Sequence, residues 1–334
     1  TQARPNMGPR PTGKHYDYEV AAFSVAGFVQ TEHQVTDRLN MGGGIRLEHV
    51  EYDYDNRMIS GNTRDDGTPC GSRGCLFTRP EDRKDSFSNI APKLSASYRL
   101  TDQTSVFSSL ARGFRVPQML ELYRLQNGQA VSDLKSERID SLEAGVRHLA
   151  GNWSADMVAY TMRKRDSVFR DAEGFNVTGA RSRHRGIETG MDWQIREEWS
   201  ISLDATYARH SYDFDAAGRG EQFVSGREMD SAPKLMSSLE FRYEPVSRLK
   251  LAFQVTTLDE YFLDAQNRFT YPGHTLAHLR ATYGFSERTA LTIRINNVAD
   301  KAVADRADYA NGNYRYFPGR GRELFAEVRY RLAE

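Results

Sequence analysis

The side chains best able to recognise a ligand here are histidine, arginine and tyrosine, gathered at a few places in the 334-residue chain. His184, His210 and Tyr212 lie near the ends of two alternating segments, His274 begins a third, and Arg115 closes a fourth. Arg306, Tyr309, Tyr314, Arg315 and Tyr316 crowd into residues 298–319. Guanidinium groups make charge-assisted bonds to anions and phenol rings stack, so this set suits an anionic, aromatic ligand. It does not suit catalysis. The chain has no GxSxG elbow, P-loop or HExxH helix, and its Ser, His and Asp residues are dispersed. The histidines have no metal-ligand spacing. The expectation is a binding protein with no catalytic residue, no resident metal and no cofactor.

Two-residue alternation marks the elements that must position these groups. In Trp199-Ser-Ile-Ser-Leu-Asp-Ala-Thr-Tyr207 the apolar residues point one way and Ser200, Ser202, Asp204 and Thr206 the other. The pattern returns at Leu235–Tyr243, Leu249–Val255, Leu291–Ile295 and Leu324–Leu332. Its polar face carries Lys250, Gln254, Arg294, Glu240, Arg242, Glu327 and Arg329, so that face must be wet. Apolar outside and charged inside describes a barrel in lipid around an aqueous lumen.

About thirteen strands follow, near 18–34, 39–54, 87–100, 104–115, 138–149, 153–167, 182–196, 199–212, 231–244, 248–261, 274–285, 289–297 and 320–332. Short connections alternate with long ones at 55–86, 116–137, 168–181, 213–230, 262–273 and 298–319, as periplasmic turns alternate with extracellular loops. The last strand then descends to the periplasm, and residues 1–17 join the outer loops. An odd number of strands cannot close an antiparallel barrel, and open edges are prohibitive in hydrocarbon. The expectation is an all-β antiparallel transmembrane barrel whose N-terminal part lies outside this chain.

Composition agrees. Basic and acidic residues number 45 each, which gives no pull toward nucleic acid. The mean hydropathy of −0.66 and the lack of long apolar runs are what alternating strands produce. Seventeen Tyr and 17 Phe suit interfacial girdles. Cys70 and Cys75 flank Gly-Ser-Arg-Gly, a spacer able to close a small ring, and a disulfide is expected in preference to two free thiols.

Three segments resemble TonB-dependent outer-membrane receptors. Ser108-Ser-Leu-Ala-Arg-Gly-Phe-Arg-Val-Pro-Gln-Met-Leu-Glu-Leu-Tyr123 resembles their "FRAP…ELY" segment. Phe175-Asn-Val-Thr-Gly-Ala-Arg-Ser-Arg-His-Arg-Gly-Ile-Glu188 resembles a strand-opening "N-x-G-x-x-x-x-x-G-x-E". Ile295-Asn-Asn-Val-Ala-Asp-Lys301 with Tyr316-Phe-Pro-Gly-Arg-Gly-Arg-Glu-Leu324 resembles the closing "NLFDK…PGR". The resemblance implies a 22-stranded barrel around a plug, of which this chain would supply strands ten to twenty-two without the plug. It departs from the family in ending on Leu332-Ala-Glu334 in place of an aromatic residue. Gly113, Gly179 and Gly186 are expected at bulges or bends, Pro117 at a strand end, and Asn296, Asn297 and Asp300 in a turn.

The resemblance further implies a monomeric receptor in the outer membrane of a Gram-negative bacterium. It would contact lipid, bind a small-molecule metal chelate, engage the TonB complex through its N-terminal part, and import a ferric siderophore. Residues 118–137 lack histidine and the "NPNL" box of haem receptors. Ligand would meet Arg115, His184, His210, Tyr212, His274, Arg306, Tyr309, Tyr314 and Arg315 at the mouth. The architectural alternative makes these tyrosines girdle anchors and these arginines solvated or paired lumen charges. A passive porin would share the barrel. A soluble β-rich glycan-binding module would instead bury Trp199, Ile201, Leu203 and Tyr207 in a core.

Overall fold

The computed structural model describes residues 14–70, 74–170, 175–215, 224–310 and 312–332. Its strands are β1 (Tyr18–Gln34), β2 (Leu39–Asn56), β3 (Phe77–Thr78), β4 (Arg83–Arg99), β5 (Thr104–Arg115), β6 (Leu125–Gln126), β7 (Glu137–Ala150), β8 (Trp153–Arg170), β9 (Asn176–Arg196) and β10 (Trp199–Tyr212). They continue as β11 (Leu235–Val246), β12 (Leu249–Leu258), β13 (Tyr261–Phe262), β14 (Thr270–Tyr271), β15 (His274–Gly284), β16 (Thr289–Asn296), β17 (Ala304–Ala310), β18 (Asn313–Pro318) and β19 (Glu323–Tyr330). One short helix, α1 (Met119–Tyr123), follows β5.

Thirteen of these strands form a single sheet in the order β1-β2-β4-β5-β7-β8-β9-β10-β11-β12-β15-β16-β19. Every neighbouring pair is antiparallel and every connection runs to the next strand across. Three of the short turns share one chemistry. Thr36 Oγ1 accepts the N–H groups of Arg38 (3.2 Å) and Leu39 (3.0 Å). Thr101 does the same for Gln103 and Thr104, and Ser286 for Arg288 and Thr289. A hydroxyl that satisfies the backbone of the next two or three residues makes a tight reversal without glycine.

Register carries the alternation across the sheet. Trp153, Trp193, Ile201, Phe241, Phe253, Leu279, Ile295 and Leu324 stand opposite one another in succession, an apolar row over eight strands. One residue along, Asp192, Ser202, Glu240, Gln254 and His278 form the corresponding polar row. On that polar face Glu240 pairs with Arg242 and Arg280, and Lys250 with Glu244. The apolar face is open: Trp199 is 44% and Tyr207 59% exposed, where a soluble module would bury both. Trp199 stacks on Tyr243 at 4.1 Å, on the same face as the opposed Trp153 and Trp193. Such a two-faced sheet fits lipid on one side and water on the other. No ladder joins β1 to β19 among the described residues.

Each of the thirteen expected strands falls on a strand of this sheet, and the differences concentrate at the ends that carry long connections. β9 begins at Asn176, six residues before the expected start. Residues 298–319 hold the hairpin β17–β18, which its mixed Arg, Asp and Tyr pattern had not announced. Of the three glycines, Gly179 fits its expectation, with φ +130° beside the register shift between Ser167 and Val168. Gly113 and Gly186 do not; both sit in regular ladders. At Gly186 the need is space, since a Cβ there would lie 2.6 Å from the Tyr160 hydroxyl. Residues 1–13, Ala333 and Glu334 lie outside the described residues, as do parts of the expected loops 55–86, 168–181 and 213–230.

Candidate functional site

The long connections all leave the same end of the sheet, and they associate into two assemblies. The first joins residues 55–86, 116–137 and the start of β9. Gln118 N–H donates to Glu121 at 2.7 Å, which starts α1. The helix buries Leu122 and Tyr123, whose ring stacks on Tyr54 at 4.4 Å while its hydroxyl donates to Asp85 at 2.8 Å. Phe87 and Leu134 complete this small core. β3 pairs with β6, and Gln129 exchanges hydrogen bonds with the Asn176 backbone. Buried Arg79 donates to the carbonyls of Ile59, Thr63 and Arg64, tying its loop internally. Beside it, burial pushes the Tyr16 phenol up to about 12, against the pull of Arg124. The sulfur atoms of Cys70 and Cys75 are bonded, with Cα atoms 4.9 Å apart.

Arg115 belongs to this assembly as a latch. Its guanidinium donates twice to Glu137 (3.0 and 2.7 Å) and twice to Glu121 (3.0 and 3.1 Å). Buried Glu137 also takes Lys164 Nζ at 2.9 Å and the Val168 N–H at 3.1 Å. One carboxylate thereby ties β5, β7 and β8 together, and Arg115 adds α1 through Glu121.

His184 and His210 stand directly opposite on the polar face, their Nδ1 atoms 2.7 Å apart, and His184 Nε2 lies 2.8 Å from Ser182 Oγ. Tyr212, on the same face, donates to Asp230. Among the described residues no third His, Cys, Asp or Glu joins the pair to make a metal-binding group.

The second assembly joins residues 224–230, 261–271 and the β17–β18 hairpin. Asn267 Oδ1 accepts the Glu228 N–H at 2.9 Å, and Ser231 N–H donates to the Phe262 carbonyl at 2.8 Å. The hydroxyls of Tyr261 and Tyr271 accept the N–H groups of Ala307 (3.0 Å) and Ala304 (3.1 Å), which docks the hairpin on β13–β14. Tyr271 also meets His274 Nδ1 at 3.0 Å. Phe269 stacks on Tyr309 at 3.7 Å and takes the edge of Tyr314. Asp308 holds both Arg306 and Arg315, and Arg315 keeps its carboxyl below the ordinary range. Tyr314, Tyr316 and Phe317 remain exposed. The result is an aromatic surface edged with guanidinium groups, suited to stacking on and pairing with an anionic ring.

Asp264 organises the 261–271 turn by accepting the N–H groups of Arg268 (2.8 Å) and Phe269 (3.1 Å) and the Arg268 side chain. Burial raises its pKa, but these donors outweigh it and hold the carboxyl below its ordinary value. A depressed pKa in the folded chain stabilises above the ordinary carboxylate range, about pH 4, and that stabilisation is lost as pH falls through and below it. Hydrogen exchange of the Arg268 and Phe269 amides should therefore accelerate relative to neighbouring turns as pH drops below about 4. Asp264→Asn should abolish that pH dependence; a variant that kept it would assign it to another group.

Of the residues expected at the mouth, Tyr309, Tyr314, Arg306 and Arg315 come together, with His274 reaching them through Tyr271. His184, His210 and Tyr212 form a separate row, and Arg115 sits in the latch. Sequence reasoning missed Phe269, Tyr261, Tyr271, Glu137 and Tyr123. Only Gln118-Met-Leu-Glu121 carried a readable signal, a helix-start spacing just before Tyr123. The others act through contacts between loops distant in sequence.

An antiparallel sheet with one lipid-compatible face, short turns at one end and cross-linked loops at the other defines the wall of an outer-membrane-type β-barrel. A family model described as "TonB dependent receptor-like, beta-barrel" matches residues 1–298, and the chain belongs to that family. The pesticin receptor of Yersinia enterocolitica is 21% identical over 92% of this chain and 43% of its own length. The rhizobactin receptor of Rhizobium meliloti is 24% identical, covering 86% of this chain and 39% of that receptor. Among solved structures, the ferric citrate transporter FecA superposes with a TM-score of 0.76 at 18% identity, covering 96% of this chain and 46% of that one. The ferric yersiniabactin uptake receptor FyuA of Yersinia pestis gives 0.74 at 16% identity, covering 94% and 46%. The chain spans less than half the length of these proteins.

Proposed function

We propose that this chain is part of the barrel of an outer-membrane receptor of a Gram-negative bacterium, which imports a ferric siderophore with energy delivered through TonB. The remainder of such a barrel would supply strand partners for the free edges of β1 and β19, and a plug with its TonB-binding segment would make uptake active. The receptor works as a monomer in outer-membrane lipid. Its cargo is a small-molecule iron chelate, and no chemistry is done on it. The observation that carries the ligand class is the second loop assembly, where Phe269, Tyr309, Tyr314 and Tyr316 lie with Arg306 and Arg315. One curated relative is named a probable TonB-dependent siderophore receptor and another a ferric aerobactin receptor, which supports the same class.

The test is equilibrium binding of catecholate, hydroxamate and carboxylate ferric chelates to the complete receptor. Tyr314→Ala, Arg315→Ala and Tyr316→Ala combined should weaken the preferred chelate by at least about tenfold, since aromatic and arginine side chains dominate such contacts. Unchanged affinity for every chelate would remove this surface from the binding site. Uptake that persists without TonB would point to a passive channel instead.

A further inference from the structure

One row across the polar face sets two thioethers beside two imidazoles. Met162 of β8 lies directly opposite His184 of β9, and His184 directly opposite His210 of β10. The isolated bridge between Ser211 and Glu228 extends the row by setting Met229 opposite His210. There the Met229 N–H donates to the His210 carbonyl at 2.9 Å. Residues directly opposite in an antiparallel pair project from the same face. Four half-buried side chains, in the order Met-His-His-Met, therefore share the lumen side of neighbouring segments.

The middle pair is close to ligand geometry. The Nδ1 atoms of His184 and His210 are 2.7 Å apart, with the rings tilted by 55°. Two neutral imidazoles so placed share one proton or aim two lone pairs at the same point. A metal ion holds an imidazole nitrogen at about 2.0 Å, so two nitrogens on one ion stand roughly 3–4 Å apart. Exchanging the shared proton for an ion asks the rings to part by only about 1 Å. Behind them, Ser182 Oγ lies 2.8 Å from His184 Nε2. A hydroxyl that accepts the outer N–H leaves Nδ1 unprotonated for a metal, the usual support of a ligating histidine. Lys164, opposite Ser182, brings a positive charge near the pair, and Glu137 balances it at 2.9 Å.

The donor set selects the ion. Imidazole accepts zinc, copper, iron or nickel, whereas thioether sulfur selects cuprous copper. Among the described residues no carboxylate joins the row, as a hard cation would require. Copper(I) is the ion that suits both kinds of donor. We infer that Met162, His184, His210 and Met229 form a copper(I) site in the polar wall of the sheet. It takes the bare ion, and it stands apart from the aromatic surface of the second loop assembly.

The untagged complete receptor in micelles, titrated anaerobically with copper(I) against a chromogenic copper(I) chelator, tests this. One equivalent of copper should pass from the chelator to the receptor. His184→Ala with His210→Ala should weaken copper(I) binding at least about a hundredfold, since even an outer-shell partner is commonly worth roughly 10–100-fold. Met162→Leu with Met229→Leu conserves volume and should fold as wild type, which circular dichroism of the strands checks. It should weaken copper(I) at least about tenfold and change zinc(II) binding far less. Copper left wholly with the chelator by folded wild-type receptor, or held undiminished by the alanine variant, would overturn the inference. Equal copper(I) affinity in wild type and leucine variant would overturn it in favour of a two-histidine zinc site. An alanine variant that fails to fold leaves the leucine variant to decide. The titration contains no ferric chelate, so its failure would leave the cargo assignment standing.

Discussion

Tyr123→Ala should release the first loop assembly at a cost of about 3–5 kcal/mol, the usual range for deleting a fully buried aromatic side chain. Tyr123 is completely buried, stacks on Tyr54 and donates to Asp85, so truncation opens a cavity and strands a polar partner together. Tyr123→Phe keeps the ring and should cost only about 1 kcal/mol, one net hydrogen bond. Asp85 would retain its pairing with Arg83 in that variant. Hydrogen exchange reads the difference. The alanine variant should lose protection across residues 55–86 and 116–137 while the strands below stay protected. Equal exchange in wild type and alanine variant would show that this cluster does not hold the loops.

Leu203→Arg should destabilise the receptor in a bilayer by about 2–4 kcal/mol, the range for a cation placed near the midplane on the lipid side of a barrel. Leu203 lies mid-band, opposite Met191 and Leu239. Thr206→Arg places the same charge on the polar face, opposite Glu188, and should change stability by less than about 0.5 kcal/mol. Denaturant unfolding from lipid vesicles measures both. The contrast is the informative quantity, because the two substitutions place the same charge on opposite faces of one strand. Equal effects would remove the two-faced reading of the sheet.

The strand plan was legible because a barrel strand repeats every two residues and must commit each position to lipid or water. Trp199–Tyr207 shows that commitment directly, and β1, β5 and β10 begin and end at the expected residues. The short turns were legible too, as breaks between alternating runs, and in three of them a Thr or Ser at the head satisfies its own backbone. The interiors of the long connections were not. Arg115 looked like a free cation at the mouth, yet Glu121 and Glu137, six and 22 residues on, claim all of its bonding. Phe269 is unremarkable in sequence and becomes the floor of an aromatic stack only when β17–β18 folds over it.

The sequence by itself determined the all-β class, the two faces of the sheet, the order of its strands and the end from which the long loops leave. These follow from local periodicity, which each segment carries alone. Only the tertiary structure decided that six loops make two assemblies, that His184 meets His210, and that Met162 and Met229 stand in the same row. Those facts depend on register and on contacts between distant segments, and a shift of one residue in any ladder would erase them.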